Sequence, residues 1–170
     1  MVAQELALRH PARIRRLVLC CTSPGGAGGA SYPLHTLTGM SREERARHMI
    51  PISDIRHDET WAKANPQTYE KLVAMAAADP FADEPGHQTG ALRQLEARAG
   101  HNTWDRLPQI AVPTLVCGGK FDGIALPETQ EAMAARIPDA RLAMFDGGHL
   151  FMLQDRKAYP AIIDFLNAEN

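Results

Sequence analysis

Two stretches decide the fold: Val112-Pro113-Thr114-Leu115-Val116-Cys117-Gly118-Gly119-Lys120-Phe121-Asp122-Gly123, and Arg141-Leu142-Ala143-Met144-Phe145-Asp146-Gly147-Gly148-His149. Each is a short apolar run closed by glycines that carry an ionisable residue, which reads as a strand ending in a turn. The interval from 127 to 137 is helical in pattern. Pro127 suits a first helical position, and Glu128 complements the positive end of the helix dipole. Strand, helix, strand predicts a parallel βαβ unit. In such a unit both strands point their carboxyl ends the same way, so Asp122 and His149 are delivered to one rim of one sheet.

A carboxylate that accepts from one imidazole nitrogen holds the ring in one tautomer and leaves the other nitrogen free to take a proton. Asp122 and His149 are therefore the candidate catalytic pair, with Asp146 as a competing carboxylate. Asp122 is preferred because it lies past the end of its strand with room to turn, whereas Asp146 shares a turn with His149.

These segments resemble the acid and histidine segments of the α/β-hydrolase fold family, whose triad runs serine, then acid, then histidine along the chain. The run-in Arg106-Leu107-Pro108-Gln109-Ile110-Ala111-Val112-Pro113 resembles that family as well, as does His10-Pro11 followed by Arg13 and Leu17-Val18-Leu19 near the start. The resemblance implies Asp122 as triad acid and His149 as base. It also implies an ester, lactone or related acyl hydrolase that needs no cofactor and acts on a small ester-like molecule. Relatives with the same frame include dehalogenases, peroxidases and C–C bond hydrolases.

The family's nucleophile elbow, G-x-S-x-G, does not occur in the 170 residues. By the resemblance it would fall just before Met1, so the chain reads as a C-terminal part of the fold, truncated and inactive alone. Ser23, Cys20 and Cys21 lie at a strand's carboxyl end and are the internal candidates for a substitute. Ser23 precedes a proline and lacks the strand-to-helix turn that would expose a hydroxyl.

The expected architecture is α/β: parallel strands with flanking helices and a helical cap insertion. Residues 1–26 and 106–170 would form the core half, and residues 27–105 a helical cap or lid. A helix before Pro11 leads into an unalternating apolar run at Leu17, suited to a parallel strand covered on both faces. In the insertion, Ser41 and Glu44 form a capping box for a helix through His48. Asn65-Pro66 starts another that ends near Asp79, and a third runs over 88–99. Met40, Met49, Trp61 and Met75 are its candidate pocket residues, while His48, His57 and His101 read as surface or loop histidines. Asp155 is expected to cap a last helix reaching Ala168, and Trp104 to pack where the chain re-enters the sheet.

Composition excludes several classes. With 45% hydrophobic and 22% charged residues and a net charge of −2, the chain carries no basic footprint for nucleic acid or anionic lipid. No apolar run of about 18 residues suggests a membrane span, and no leader pattern opens the chain, so a cytoplasmic protein is expected. The 3 cysteines read as core thiols, and the 7 histidines fall in no metal-binding spacing. A half-fold would also leave a sheet edge uncovered, which gives an alternative function: a catalytically inactive module acting only by self-association, pairing that edge with a copy of itself, or by pairing it with a partner.

Overall fold

The structure, a computed structural model, describes residues 1–168. Three β-branched or aliphatic runs become strands β1 (Leu17–Cys20), β2 (Thr114–Gly119) and β3 (Arg141–Phe145). They pair in parallel in the order β1-β2-β3, with Cys20 level with Cys117 and Gly119 level with Phe145. Parallel pairing needs crossovers, and helices supply them. Helix α6 (Pro127–Arg136) joins β2 to β3, and α1 (Val2–Arg9) precedes β1. Helices α7 (Phe151–Gln154) and α8 (Ala158–Asn167) follow β3.

Side-chain alternation divides the strands between two cores. Leu17, Leu19 and Val116 meet Ala7, Met133 and Ile137 on the α1/α6 face. Leu115, Cys117 and Phe145 meet Phe151, Ala158 and Phe165 on the α7/α8 face, where the Phe145 and Phe151 rings stack 5.1 Å apart. Cys117 is fully buried and Cys20 and Cys21 half-buried, all three as free thiols.

Between β1 and β2 lie α2 (Arg42–Ser53), α3 (Glu59–Ala64), α4 (Pro66–Ala77) and α5 (His87–Ala99). Ala46 and Ile50 of α2 pack on Val73 of α4, a small core separate from the sheet. The insertion leaves and returns through one neck, where Gly25 bridges Asn102 and the Thr103 amide donates to the Pro24 carbonyl at 2.7 Å. The Ser41–Glu44 capping box forms as expected. Three details differ from the sequence reading. Helix α2 continues through Pro51 to Ser53, because Ile50 is buried and anchors that turn. Helix α3 has no apolar period to announce it and is started by Asp58, whose Oδ1 accepts from the Trp61 amide at 2.8 Å. Asp155 terminates α7 rather than capping the last helix, and accepts from the amides of Asp146 and Lys157. Positions 169 and 170 of the expected core segment lie outside the described residues.

Two polar devices, one buried and one half-exposed, tie α1 to the neck. The Gln4 amide is fully buried; it donates to the Ser23 carbonyl at 3.2 Å and accepts from Thr103 Oγ1 at 2.6 Å. Beside it, Arg106 Nη1 donates to Glu5 Oε2 at 3.0 Å, and that guanidinium holds the Glu5 carboxyl down to about 2. A depressed carboxyl adds stability above its ordinary value and loses it as pH falls through the depressed one. Glu5→Gln is therefore expected to lower Tm by about 2 °C at pH 7, since a pair that is 28% and 38% exposed is partly screened. Calorimetry should show that gap closing as pH approaches 2; a gap that persists there would contradict the pairing.

Among the described residues, no helix is long and apolar enough to cross a membrane.

Candidate active site

The turns after β2 and β3 are hydrogen-bonded to each other. The Lys120 amide donates to the Phe145 carbonyl at 2.9 Å and the Phe121 amide to the Gly147 carbonyl at 3.0 Å. Such closeness forbids side chains. A Cβ at position 119 would collide with the Gly147 and Gly148 carbonyl oxygens, and one at 148 with the Ser53 carbonyl oxygen. The paired glycines are thus what lets the two rims touch.

Asp122 is 1% exposed, and its two oxygens have separate duties. Oδ1 accepts from the amides of Ile124 at 2.7 Å and Ala125 at 2.9 Å, which locks the carboxylate plane. Oδ2 faces His149 Nδ1 at 2.9 Å. A carboxylate only accepts, so the imidazole proton sits on Nδ1 and Nε2 is left as the basic nitrogen. The backbone amide of His149 donates to the Ser53 carbonyl at 2.6 Å, which fixes the ring from the insertion side.

A cavity of about 690 Å³ opens in front of His149, lined among others by Leu34, Met49, Leu95, Ile124, Arg45 and Arg98. Its size is that of a small-molecule site. Of the four expected pocket residues, Met49 borders it and three do not. Met75 is 63% exposed, because α4 turns Val73 inward and Met75 lies about 200° further round the helix. Met40 is 40% exposed, and Trp61 instead packs on the His57 ring with centroids 4.1 Å apart.

Asp146, the competing carboxylate, points away from the pair: its side chain is 65% exposed, 3.8 Å from Arg56. Ser23 is fully buried and its Oγ accepts from the Ser31 amide at 3.1 Å. Cys21 Sγ donates to the His149 carbonyl at 3.1 Å rather than to its ring. Burial first, and the Asp122 charge second, push the Cys21 thiol far above its ordinary value, which leaves it a poor nucleophile. Among the described residues, no hydroxyl or thiol is hydrogen-bonded to His149 Nε2. One ligand-type atom each of Cys21, Asp122 and His149 falls within 4.8 Å of the others, although the latter two already spend facing atoms on each other.

Sequence reasoning missed the support beneath the pair. Asp54, 3% exposed, accepts from Nε and Nη2 of Arg56 at 2.9 and 2.7 Å and from the side-chain amide of Gln154 at 2.9 Å. Burial alone would raise that carboxyl; Arg56 more than offsets it and holds it below its ordinary value. Gln154 also accepts from the Gly148 amide at 2.8 Å, so one chain of contacts runs from the end of α2 to the histidine turn. Nothing local marks these residues, since their contact is tertiary. His101, read as a surface or loop histidine, lies in the loop after α5, where it is half-buried and bonds the Gln4 side chain at 3.0 Å, and burial lowers its proton affinity. His48 does lie at the surface, bonded to the Tyr32 hydroxyl at 2.8 Å.

Residues 1–155 match the model of the alpha/beta hydrolase fold family. The chain belongs to that family. This alpha/beta hydrolase chain is 30% identical to a poly(3-hydroxyalkanoate) depolymerase of Ectopseudomonas oleovorans, over 99% of its own length and 58% of that protein's. A thermophilic esterase from Thermogutta terrifontis superposes with a TM-score of 0.67 at 29% identity, covering 97% of this chain and 60% of the esterase. The enol-lactonase from Burkholderia xenovorans LB400 shares the fold, with a TM-score of 0.74 at 21% identity over 98% of this chain and 61% of the lactonase. The alpha/beta hydrolase chain thus spans about three-fifths of the length of these relatives.

Proposed function

We propose that Asp122 and His149 are the acid and base of a serine-type hydrolase acting on carboxylic ester or lactone bonds. The nucleophile would be carried on a segment N-terminal to α1, and the helices α2–α5 would serve as a cap over the substrate. The observation that carries this reading is the 2.9 Å contact between Asp122 Oδ2 and Nδ1 of His149, whose ring borders the cavity. The first residues of α1 border the same cavity, where a strand-to-helix elbow would present a hydroxyl to Nε2.

In the proposed cycle, Nε2 takes the serine proton as the oxygen attacks the carbonyl, and the imidazolium is stabilised by the Asp122 charge. His149 then protonates the leaving alkoxide. Water repeats the sequence on the acyl-enzyme and returns the serine. Each step is an acyl or proton transfer, so the cycle calls for no cofactor.

The test is turnover of p-nitrophenyl butyrate by residues 1–170 and by the same chain preceded by the sequence encoded in frame before Met1. Hydrolysis is expected only from the longer protein, and loss of it on His149→Gln. Serine-dependent turnover by the 170 residues alone would refute the external nucleophile, and a longer protein carrying an elbow but without turnover would sink the hydrolase reading.

A second reading, association of copies through the sheet edge, is favoured by one observation. β1 lies at the end of the sheet, flanked by Leu6 of α1 at 47% exposure and Ile163 of α8 at 51%. Light scattering distinguishes it, because a concentration-independent monomer would exclude it.

A further inference from the structure

The cavity in front of His149 carries two guanidinium groups and no carboxylate. Arg45 of α2 and Arg98 of α5 both border it, whereas among the described residues no Asp or Glu does, and Asp122 is buried and committed to the imidazole. Other arginines on these same helices are neutralised. Arg42 pairs with Asp79 at 3.3 Å, Arg47 with Glu43 and Glu70 at 2.8 Å, and Arg93 with Glu96 at 3.0 Å. Among the described residues, neither Arg45 nor Arg98 has an acidic partner. Arg98 is half-buried besides, and desolvation pushes its guanidinium down from its ordinary value with nothing to offset it. A cation removed from water without a counter-charge is costly unless a ligand supplies one.

Arg98 is also held in place. Its Nη2 donates to Ser31 Oγ at 2.7 Å, and the Ser31 amide donates to Ser23 Oγ at 3.1 Å, which ties the guanidinium to the buried neck. A guanidinium fixed by a neutral hydroxyl keeps its remaining donors and its full charge for a ligand. The rest of the lining is mostly apolar, with Leu34, Met49, Leu95 and Ile124, and includes the Thr22 hydroxyl, to which the Met1 ammonium donates at 3.0 Å. Two guanidinium groups, mostly apolar walls and a basic imidazole around one cavity suit a molecule that combines an anion, a hydrocarbon stretch and a reacting carbonyl.

We propose that this cavity selects esters or lactones bearing a carboxylate distal to the reacting carbonyl, received by Arg98 with Arg45 as the second cation. The ester half of that statement rests on the hydrolase reading above; the carboxylate half does not. A fork of donors facing a carboxylate gives charge-assisted hydrogen bonds, and the low-dielectric walls strengthen them.

The test is calorimetric titration of residues 1–170 with monomethyl adipate and with dimethyl adipate, which differ only in the free carboxylate. The monoester is expected to bind at least about tenfold more tightly. Arg98→Gln should erase that preference, Arg45→Gln should reduce it, and Arg93→Gln, on an exposed turn of the same helix, should leave it intact. Far-UV circular dichroism and the Tm of each variant confirm folding. Equal affinities, a failure of the monoester to bind, or a preference that survives Arg98→Gln would overturn the proposal. His149→Gln separates the two readings, since it is expected to abolish hydrolysis in the nucleophile-bearing protein while leaving the carboxylate preference unchanged.

Discussion

Asp122→Asn is expected to reverse the tautomer of His149 and to cost the nucleophile-bearing protein about 10⁴ in kcat. The reversal follows from the two amides that hold the acid. Ile124 and Ala125 donate to Oδ1 at 2.7 and 2.9 Å, and they accept no substitute there but another acceptor oxygen. An asparagine at 122 must therefore keep its carbonyl oxygen on those amides and turn its NH₂ group toward His149 Nδ1, 2.9 Å away in the native chain. A donor facing Nδ1 makes that nitrogen an acceptor, and the ring proton moves to Nε2. Nε2 is the atom that would receive the nucleophile's proton, and in this tautomer it has no lone pair to do so. Nitrogen NMR of His149 checks the first step in residues 1–170 alone, because the protonated and bare ring nitrogens resonate far apart. Ester turnover checks the second. A ring still protonated on Nδ1 in the variant would show that Asp122 does not govern the imidazole.

How much of this was legible beforehand depends on whether a signal is local. The strands β2 and β3 and their glycine turns were readable because an apolar run and a Gly-Gly closure are properties of adjacent residues. The same holds for the capping box at Ser41 and Glu44, which is defined within four positions. The order strand, helix, strand then carried Asp122 and His149 to one rim, because parallel strands present their carboxyl ends at the same edge. What lay beyond reach is helical phase against a partner. Met75 and Met40 looked like pocket residues because they are apolar, yet α4 faces its partner through Val73, and Met40 sits on an exposed turn. Helix α5 has no buried residue to announce an inward face, so nothing in its sequence sets Arg98 apart from Arg93, although one borders the cavity and the other faces solvent. The support from Asp54 and Gln154 is invisible for a similar reason: the two residues are 100 positions apart and meet only once the insertion folds back over the histidine turn.

Gly119→Ala is expected to be the most destabilising single-methyl change on this rim. Position 119 ends β2 level with Phe145, and its α-carbon faces the carbonyl oxygens of Gly147 and Gly148 at less than contact distance for any added carbon. Backbone cannot yield there as a flexible side chain would. Phe121 donates to the Gly147 carbonyl at 3.0 Å, Gly147 packs on Phe151, and Gly148 is pinned between Gln154 and the Ser53 carbonyl. Relief requires the histidine turn to move as a unit, which opens the Asp122–His149 contact and breaks the α2 support together. Overpacking of a rigid site costs about 1–3 kcal/mol, and the hydrogen bonds lost with it add about 1 kcal/mol each. A loss of roughly 3–4 kcal/mol is expected, read as a fall in the urea midpoint at unchanged slope. Gly118→Ala is the informative neighbour, because a methyl there would meet side-chain atoms, Gln130 Cγ and the end of Met144, rather than backbone carbonyl oxygens. If the two variants unfolded at the same urea concentration, the rim would be softer than its contacts imply, and the glycines would serve chain flexibility instead of close approach.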